Sequence, residues 1–199
     1  MHYDFIEIGT CDFDTESQKN VKEETFKPGI SVEMVKDYLD RLPNYPGHYK
    51  LHAAIVPETY DTTQTITYNY VSEIDIINNN IPWWIKGCNK VGETSPVVDE
   101  VIKNKSLLKS GRAVGITLAK LFDLMKVTSL RYLKIDAEGL DCDIIIDLLE
   151  NNSIVTPDVI YMEINELAPK QSVDKLYSIL SSRNIYYKKI GEINLLIKT

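Results

Sequence analysis

No apolar run in this chain approaches the roughly 18 residues that a membrane-spanning helix needs. No tract is dense in Lys or Arg either: 22 cationic residues stand against 29 anionic ones, for a net charge of −7. Nucleic-acid backbones and anionic bilayers both require clustered cations, so neither is expected as the main partner. Cysteine is scarce, with Cys11, Cys88 and Cys142 and no C-x-x-C pair. That excludes a disulfide framework and a zinc site, and reads as reduced thiols in a reducing compartment. The opening MHYDFIEIG lacks the charged-then-apolar pattern of a signal peptide. A soluble, intracellular protein in the cytoplasm is the expectation. Also missing is the dinucleotide fingerprint G-x-G-x-x-G: Gly9 stands alone, and Cys11 falls where a second glycine belongs.

What is present suits one domain spanning residues 1–199. The chain is 44% hydrophobic and 26% charged, and at 199 residues it can bury a sizeable core. Its organising stretch is DFIEIGTCDFD, Asp4 to Asp14. A short apolar strand stops at Gly9 among small and acidic residues, as first strands of doubly wound α/β domains do. The same pattern fits any buried first strand that ends in a glycine turn. Polar Thr15 to Lys27 leaves room for a short helix, and Gly29 to Glu33 reads as a second strand closed by a carboxylate. Met34, Val35, Tyr38, Leu39 and Leu42 then repeat at helical spacing up to Pro43. An acid ending the second strand can accept two hydrogen bonds from a ribose diol. The plain alternative for Glu33 is a solvated strand end.

Tyr49 to Val56 reads as a third strand, with small Ala53 and Ala54 where a flat ligand can lie close. His52 within it is more often a hydrogen-bonded structural residue than a base. Thr63 to Tyr70 is rich in β-formers. Residues 71–112 read as an irregular cover holding Trp83, Trp84 and Asn89, and a segment that long in a compact domain suggests function. The tryptophans either anchor the cover or form an apolar platform for a sugar or another ring.

Regularity returns with a strand at Val114 to Thr117 and a helix at Leu118 to Met125. LRYLKIDAEGLDCD follows, in which Asp136, Glu138, Asp141 and Asp143 crowd the end of a buried-type strand. Such crowding is repulsive unless cations or hydrogen-bond donors compensate. A helix N-terminus accounts for Asp141 and Asp143, but less well for Asp136. A helix from Ile144 to Leu149, a strand from Asp158 to Ile164 carrying Glu163, a helix from Ser172 to Ser182 and a closing hairpin, Ile185 to Ile190 with Ile193 to Lys198, complete the chain.

On these motifs the chain resembles an S-adenosylmethionine-dependent methyltransferase of the FkbM type. FIEIGTCDFDT is similar to that family's first motif, GISVEMV to its ribose-binding second strand, and YLKIDAEGLD to its K-I-D-x-E-G motif. IPWWIKGCN and VGITLAKLFDLMKV also resemble family segments, and the likeness runs from Phe5 to about Ile164. It implies a seven-stranded, Rossmann-like class I methyltransferase sheet, mostly parallel with a C-terminal antiparallel hairpin. It implies that Glu7, Gly9, Thr10 and Asp12 face the methionine and ribose parts of the cofactor. Glu33 would hold the ribose hydroxyls, Ala54 would border the adenine, and Asp136 would lie beside the sulfonium and acceptor. Two features depart from the family. The nucleotide turn lacks a second glycine, and the chain starts almost at its first strand, which leaves closure of the pocket to the Trp83–Trp84 segment or to a second subunit in a homo-oligomer.

The implied reaction is in-line transfer of a methyl group to an oxygen, for which alignment and deprotonation of the acceptor are the main demands. Asp136 or Glu138 is the expected base, with His52 a weaker candidate. Asp136, Glu163 and Asn165 form a second expectation, a magnesium site. Relatives of this kind accompany glycan synthesis in bacteria and large DNA viruses. A sugar or related hydroxyl, held by Trp83, Trp84 and Asn89, is therefore the expected acceptor, and a viral source would place the reaction in host cytoplasm. Three alternatives stay open: a methyltransferase-fold binding module without catalysis, an NAD-dependent oxidoreductase, and a methyltransferase of RNA or protein.

Overall fold

The computed structural model describes the chain apart from residues 64, 93, 152–154 and 192–193. Among the described residues, nine strands join in one sheet. In chain order they are β1 (His2–Ile8), β2 (Gly29–Glu33), β3 (His48–Ile55), β4 (Thr65–Val71), β5 (Leu108–Ile116), β6 (Ser129–Ile135), β7 (Val159–Glu163), β8 (Tyr186–Ile190) and β9 (Asn194–Lys198). Their spatial order is β4-β5-β3-β2-β1-β6-β7-β9-β8. Strands β3, β2, β1, β6 and β7 run parallel, and β9 inserts antiparallel between β7 and β8. This is the doubly wound, Rossmann-like sheet with its C-terminal antiparallel hairpin. Glu192 and Ile193, within the stretch expected to form the hairpin, lie outside the described residues.

Two strands exceed the expected seven. β4 pairs antiparallel with β5 over its whole length, from Thr65↔Val114 to Val71↔Leu108. The expected strand at Val114 to Thr117 therefore begins six residues earlier, at Leu108. Lys109, Ser110, Gly111 and Arg112 hide it in the sequence, since none is a strong β-former. The Tyr68 ring lies over Gly111 and fills the place of its missing side chain: a Cβ there would be 2.3 Å from a ring carbon. The rest of the 71–112 cover is also more regular than expected. It holds α3 (Glu73–Asn78), a 3-10 turn at Trp83–Gly87, α4 (Pro96–Val101) and a second 3-10 turn at Lys105–Leu107. Residue 64, within the expected strand Thr63 to Tyr70, is not described; β4 begins at Thr65.

Seven α-helices are described in all, and four of them start at a Ser or Thr whose side chain caps the first turn. Thr15 and Gln18 form a capping box at α1 (Glu16–Lys22), and Thr117 caps α5 (Leu118–Leu124). Helix α2 (Lys36–Arg41) is shorter than its apolar spacing suggested. Helices α5, α6 (Asp141–Glu150) and α7 (Lys170–Ser182) pack on one face of the sheet. Ile6, Ile8, Leu133, Ile135, Ile160 and Met162 point into that layer from the strands, and Leu121, Ile145 and Leu176 meet them from the helices. Strand alternation sends Phe5 and Glu7 to the opposite face, which α1 covers. No described helix is long and apolar enough to cross a membrane.

Candidate functional site

The parallel strands diverge in connection at β1 and β6, the switch point where doubly wound sheets bind ligands beyond their carboxyl ends. A crevice lies there. Ile8 and Gly9 line it from β1 and its turn, Glu33 from β2, Ala53 and Ala54 from β3, and Asp136 from the end of β6. The cover closes it with Lys86, Gly87 and Asn89.

Gly9 has a structural reason to be glycine. Its φ is +68°, and a Cβ would stand 1.8 Å from the Asp136 carbonyl oxygen. The close approach that excludes a side chain is thus to the end of β6, which the Asp136 N–H also ties to the Ile8 carbonyl at 3.1 Å. Glu33 holds the other side of the turn. One carboxylate oxygen accepts the Cys11 amide at 2.9 Å and the other the Val35 amide at 2.7 Å. Burial nevertheless pushes its pKa up to about 7.

Two residues expected at the cofactor are engaged elsewhere. Glu7 is fully buried on the α1 face, where it accepts the Glu16 amide at 2.6 Å, and its other oxygen lies 2.6 Å from Ser31 Oγ. Ser31 Oγ is also 2.7 Å from His48 Nε2, and His48 Nδ1 is 2.9 Å from the Pro43 carbonyl oxygen. The β-strand period places Glu7 here, one residue out of step with the crevice-lining Ile8. Asp12 is buried in an ion cluster, 2.5 Å from Lys86 Nζ and 3.0 Å from Arg41, with Glu73 bound to both cations. Thr10 is buried with its hydroxyl on the Cys11 carbonyl. His52, the weaker candidate base, donates through Nε2 to the Met34 carbonyl at 2.8 Å and ties β3 to the loop after β2.

The acids after β6 do converge. Asp136 Oδ1 is buried without a hydrogen-bond partner. Burial, followed by the charges of Asp141, Glu163 and Glu138, drives the Asp136 pKa well above the carboxylate range. Glu138, at φ +48°, is pushed up to about 8 by burial and then by Glu163 and Asp141. Asp141 is no solvated helix-start residue: 1% exposed, it accepts the Ala137 and Gly139 amides and fixes the loop that carries Asp136 and Glu138. Glu138 lines a second space with Glu163, Asn165 and Cys88. Both spaces share walls, since segments 87–89 and 136–138 contribute to each.

No observation supports the expected magnesium set of Asp136, Glu163 and Asn165. Asn165 Oδ1 accepts the Leu167 amide at 2.9 Å, and the Asn165 side chain hydrogen-bonds Glu138. Among the described residues, no group of three or more His, Cys, Asp or Glu is placed to hold a metal ion. Trp83 and Trp84 are 57% and 42% exposed, and Trp83 packs edge-on against Phe13 of the loop after β1, with ring centroids 4.9 Å apart. Sequence reasoning missed Lys86. Its signal was a lone lysine inside the apolar run IPWWIKG, where solvent has little to offer it.

No protein-family model matches this chain, and no curated protein matches it. Among solved structures, the methyltransferase domain of bacterial CtHen1 aligns with 99% of this chain and 90% of its own. The identity is 9% and the TM-score 0.39. A likeness that distant decides nothing about the chemistry.

Proposed function

We propose that the chain is an S-adenosylmethionine-dependent methyltransferase of the FkbM type that methylates a hydroxyl oxygen of a sugar or glycan. The observation that carries this reading is the unpartnered, buried Asp136 oxygen beside a switch-point crevice with Glu33 on its far wall. The residues fit the cofactor chemically. S-adenosylmethionine brings a methyl group on a sulfonium, an ammonium, a carboxylate and a ribose diol. Glu33 accepts the Cys11, Val35 and Met34 amides, and of its four acceptor positions one is left for a hydroxyl. Burial and the neighbouring acids keep Asp136 protonated by itself, and a sulfonium or ammonium beside it would favour its carboxylate form.

The acceptor belongs in the adjoining space. Glu138, with a pKa near neutrality, is matched to take a proton from a hydroxyl as that oxygen becomes a nucleophile. Asn165 orients it, and the loop bonds from Asp141 hold it in place. Trp83 offers a ring face at the rim for a sugar, and Asn89 a polar edge within the crevice.

Thermal unfolding tests the cofactor first. Saturating S-adenosylmethionine, at a hundred times its Kd, adds about 2.7 kcal/mol of stability. In a domain of this size that is a rise of roughly 5–11 °C. The rise should vanish in Glu33→Ala. A rise with NAD in place of S-adenosylmethionine would replace this reading with an oxidoreductase. Methyl transfer to a panel of sugars then tests the acceptor.

A further inference from the structure

The space beside the crevice is built from the ends of two neighbouring strands, and its polar wall is acidic. Ile135 of β6 pairs with Met162 of β7, so Asp136 and Glu163 follow side by side at adjacent strand ends. The loops that continue from them touch: a Cβ on Gly139 would stand 2.8 Å from the Leu167 carbonyl oxygen. That contact brings Glu138 and Glu166, each one residue earlier, to one opening, which they line with Glu163 and Asn165. Among the described residues, none of Asp136, Glu138, Glu163 and Glu166 is in an ion pair. Lys134 and Lys90 reach Asp136 and Glu138 only with their fields, and Lys134 Nζ lies 3.5 Å from the Asp14 carbonyl oxygen.

A second observation points to a ligand at the same place. Asp136 Oδ1 is buried without a hydrogen-bond partner where the crevice meets this space. Burial, and then the charges of Glu138, Asp136 and Glu163, raise the Cys88 thiol on the wall of the space, so Asp136 is felt there too. Unpaired carboxylates held this close repel one another, and a cation among them removes the repulsion. The cofactor brings one net positive charge to the crevice, which leaves the acids of the second space unmatched. A neutral acceptor would also leave Glu138, pushed up to about 8, largely protonated at pH 7, whereas a cation beside it restores the carboxylate that takes a proton. We infer that the acceptor is an amino sugar, which presents a hydroxyl to Glu138 and lays its ammonium between Glu163 and Glu166. The inference rests on the methyltransferase reading of the crevice and narrows the sugar to one that carries a cation.

Calorimetry on the full chain at pH 7, with S-adenosylhomocysteine present, tests it. Methyl glycosides carrying an amine at the second, third or sixth carbon are titrated, each beside its hydroxyl parent and its N-acetyl derivative. At least one amino glycoside should bind about tenfold or more tightly than both, as a charge-assisted hydrogen bond provides. Glu163→Gln with Glu166→Gln should abolish that preference without lowering the ligand-free unfolding temperature, since neither carboxylate is in an ion pair. No amino glycoside outbinding its parent, a preference kept in the double variant, or propylamine binding as tightly as the best amino glycoside would each overturn the inference. Thermal shift with S-adenosylmethionine on the same samples separates the two readings. Cofactor stabilisation without an amine preference removes the cationic acceptor alone. An amine preference without cofactor stabilisation overturns the assignment of the amino sugar as a methyl acceptor.

Discussion

Replacing Glu138 with Gln should make the protein more stable at pH 8 and leave it nearly unchanged at pH 5. In the unfolded chain Glu138 titrates near 4.5, whereas burial and the neighbouring carboxylates carry it to about 8 in the fold. Between those values the folded protein keeps a proton that the unfolded chain has released. Stability therefore falls as pH rises through that window, and it is flat below 4.5 and above about 8. The full interval corresponds to about 5 kcal/mol at most. Glu163 and Asp141 share the same repulsion, so the part a single substitution releases is about 2 kcal/mol. Glutamine keeps the shape and can still pair with Asn165 while never ionising. Urea-unfolding midpoints of both proteins at pH 5, 6, 7 and 8 read the difference directly. A Gln variant destabilised by the same amount at every pH, or a wild-type advantage that grows toward pH 8, would refute the reasoning.

Gly9→Ala should cost about 3 kcal/mol in a urea or thermal midpoint, because the added methyl meets the Asp136 carbonyl and φ is left-handed. Lys86→Met leaves Asp12 buried with only Arg41 beside it and should cost about 2 kcal/mol. Adding Asp12→Asn should restore much of that loss, and additive losses in this cycle would show that the pair is not coupled. Burial raises all three thiols, with Cys88 and Cys142 pushed up to about 12. A chromogenic aryl disulfide at pH 8 should therefore label none of them until the chain unfolds, and a fast phase in the native protein would contradict the burial.

The legible parts of the sequence were those in which local pattern and tertiary demand coincide. Ile6, Ile8 and Ile135 announced central strands because both faces of those strands are buried, and Glu33 and Asp136 stood out as acids that end them. β5 was hidden, since Lys109 to Arg112 gain their strand conformation from pairing with β4 and from the Tyr68 ring over Gly111. The site was half legible. Gly9, Glu33, Ala54 and Asp136, expected at the cofactor, line one crevice, and Asn89, expected at the acceptor, lines the same one. Glu7 and Asp12 were misread because a carboxylate near a turn looks the same whether it awaits a ligand, caps a helix or pairs with a lysine 74 residues away. Only the strand period separates Glu7 from its neighbours, and nothing local separates Asp12.

The contacts of Ser31 imply an inventory of protons that the formal charge of −7 does not count. A serine hydroxyl has one hydrogen to give, yet Ser31 Oγ meets both Glu7 and His48, and the Pro43 carbonyl needs the hydrogen on His48 Nδ1. An ionised Glu7 with a neutral His48 leaves one of those contacts without a hydrogen. The set closes when Glu7 is protonated and Ser31 donates to His48, and burial favours that state because it raises the Glu7 pKa and lowers that of His48. The arrangement is neutral overall, as fits a group sealed between α1 and the sheet. Folding this domain near neutral pH therefore takes one proton out of solution at this spot and keeps it there, so a weakly buffered refolding solution should turn measurably more alkaline.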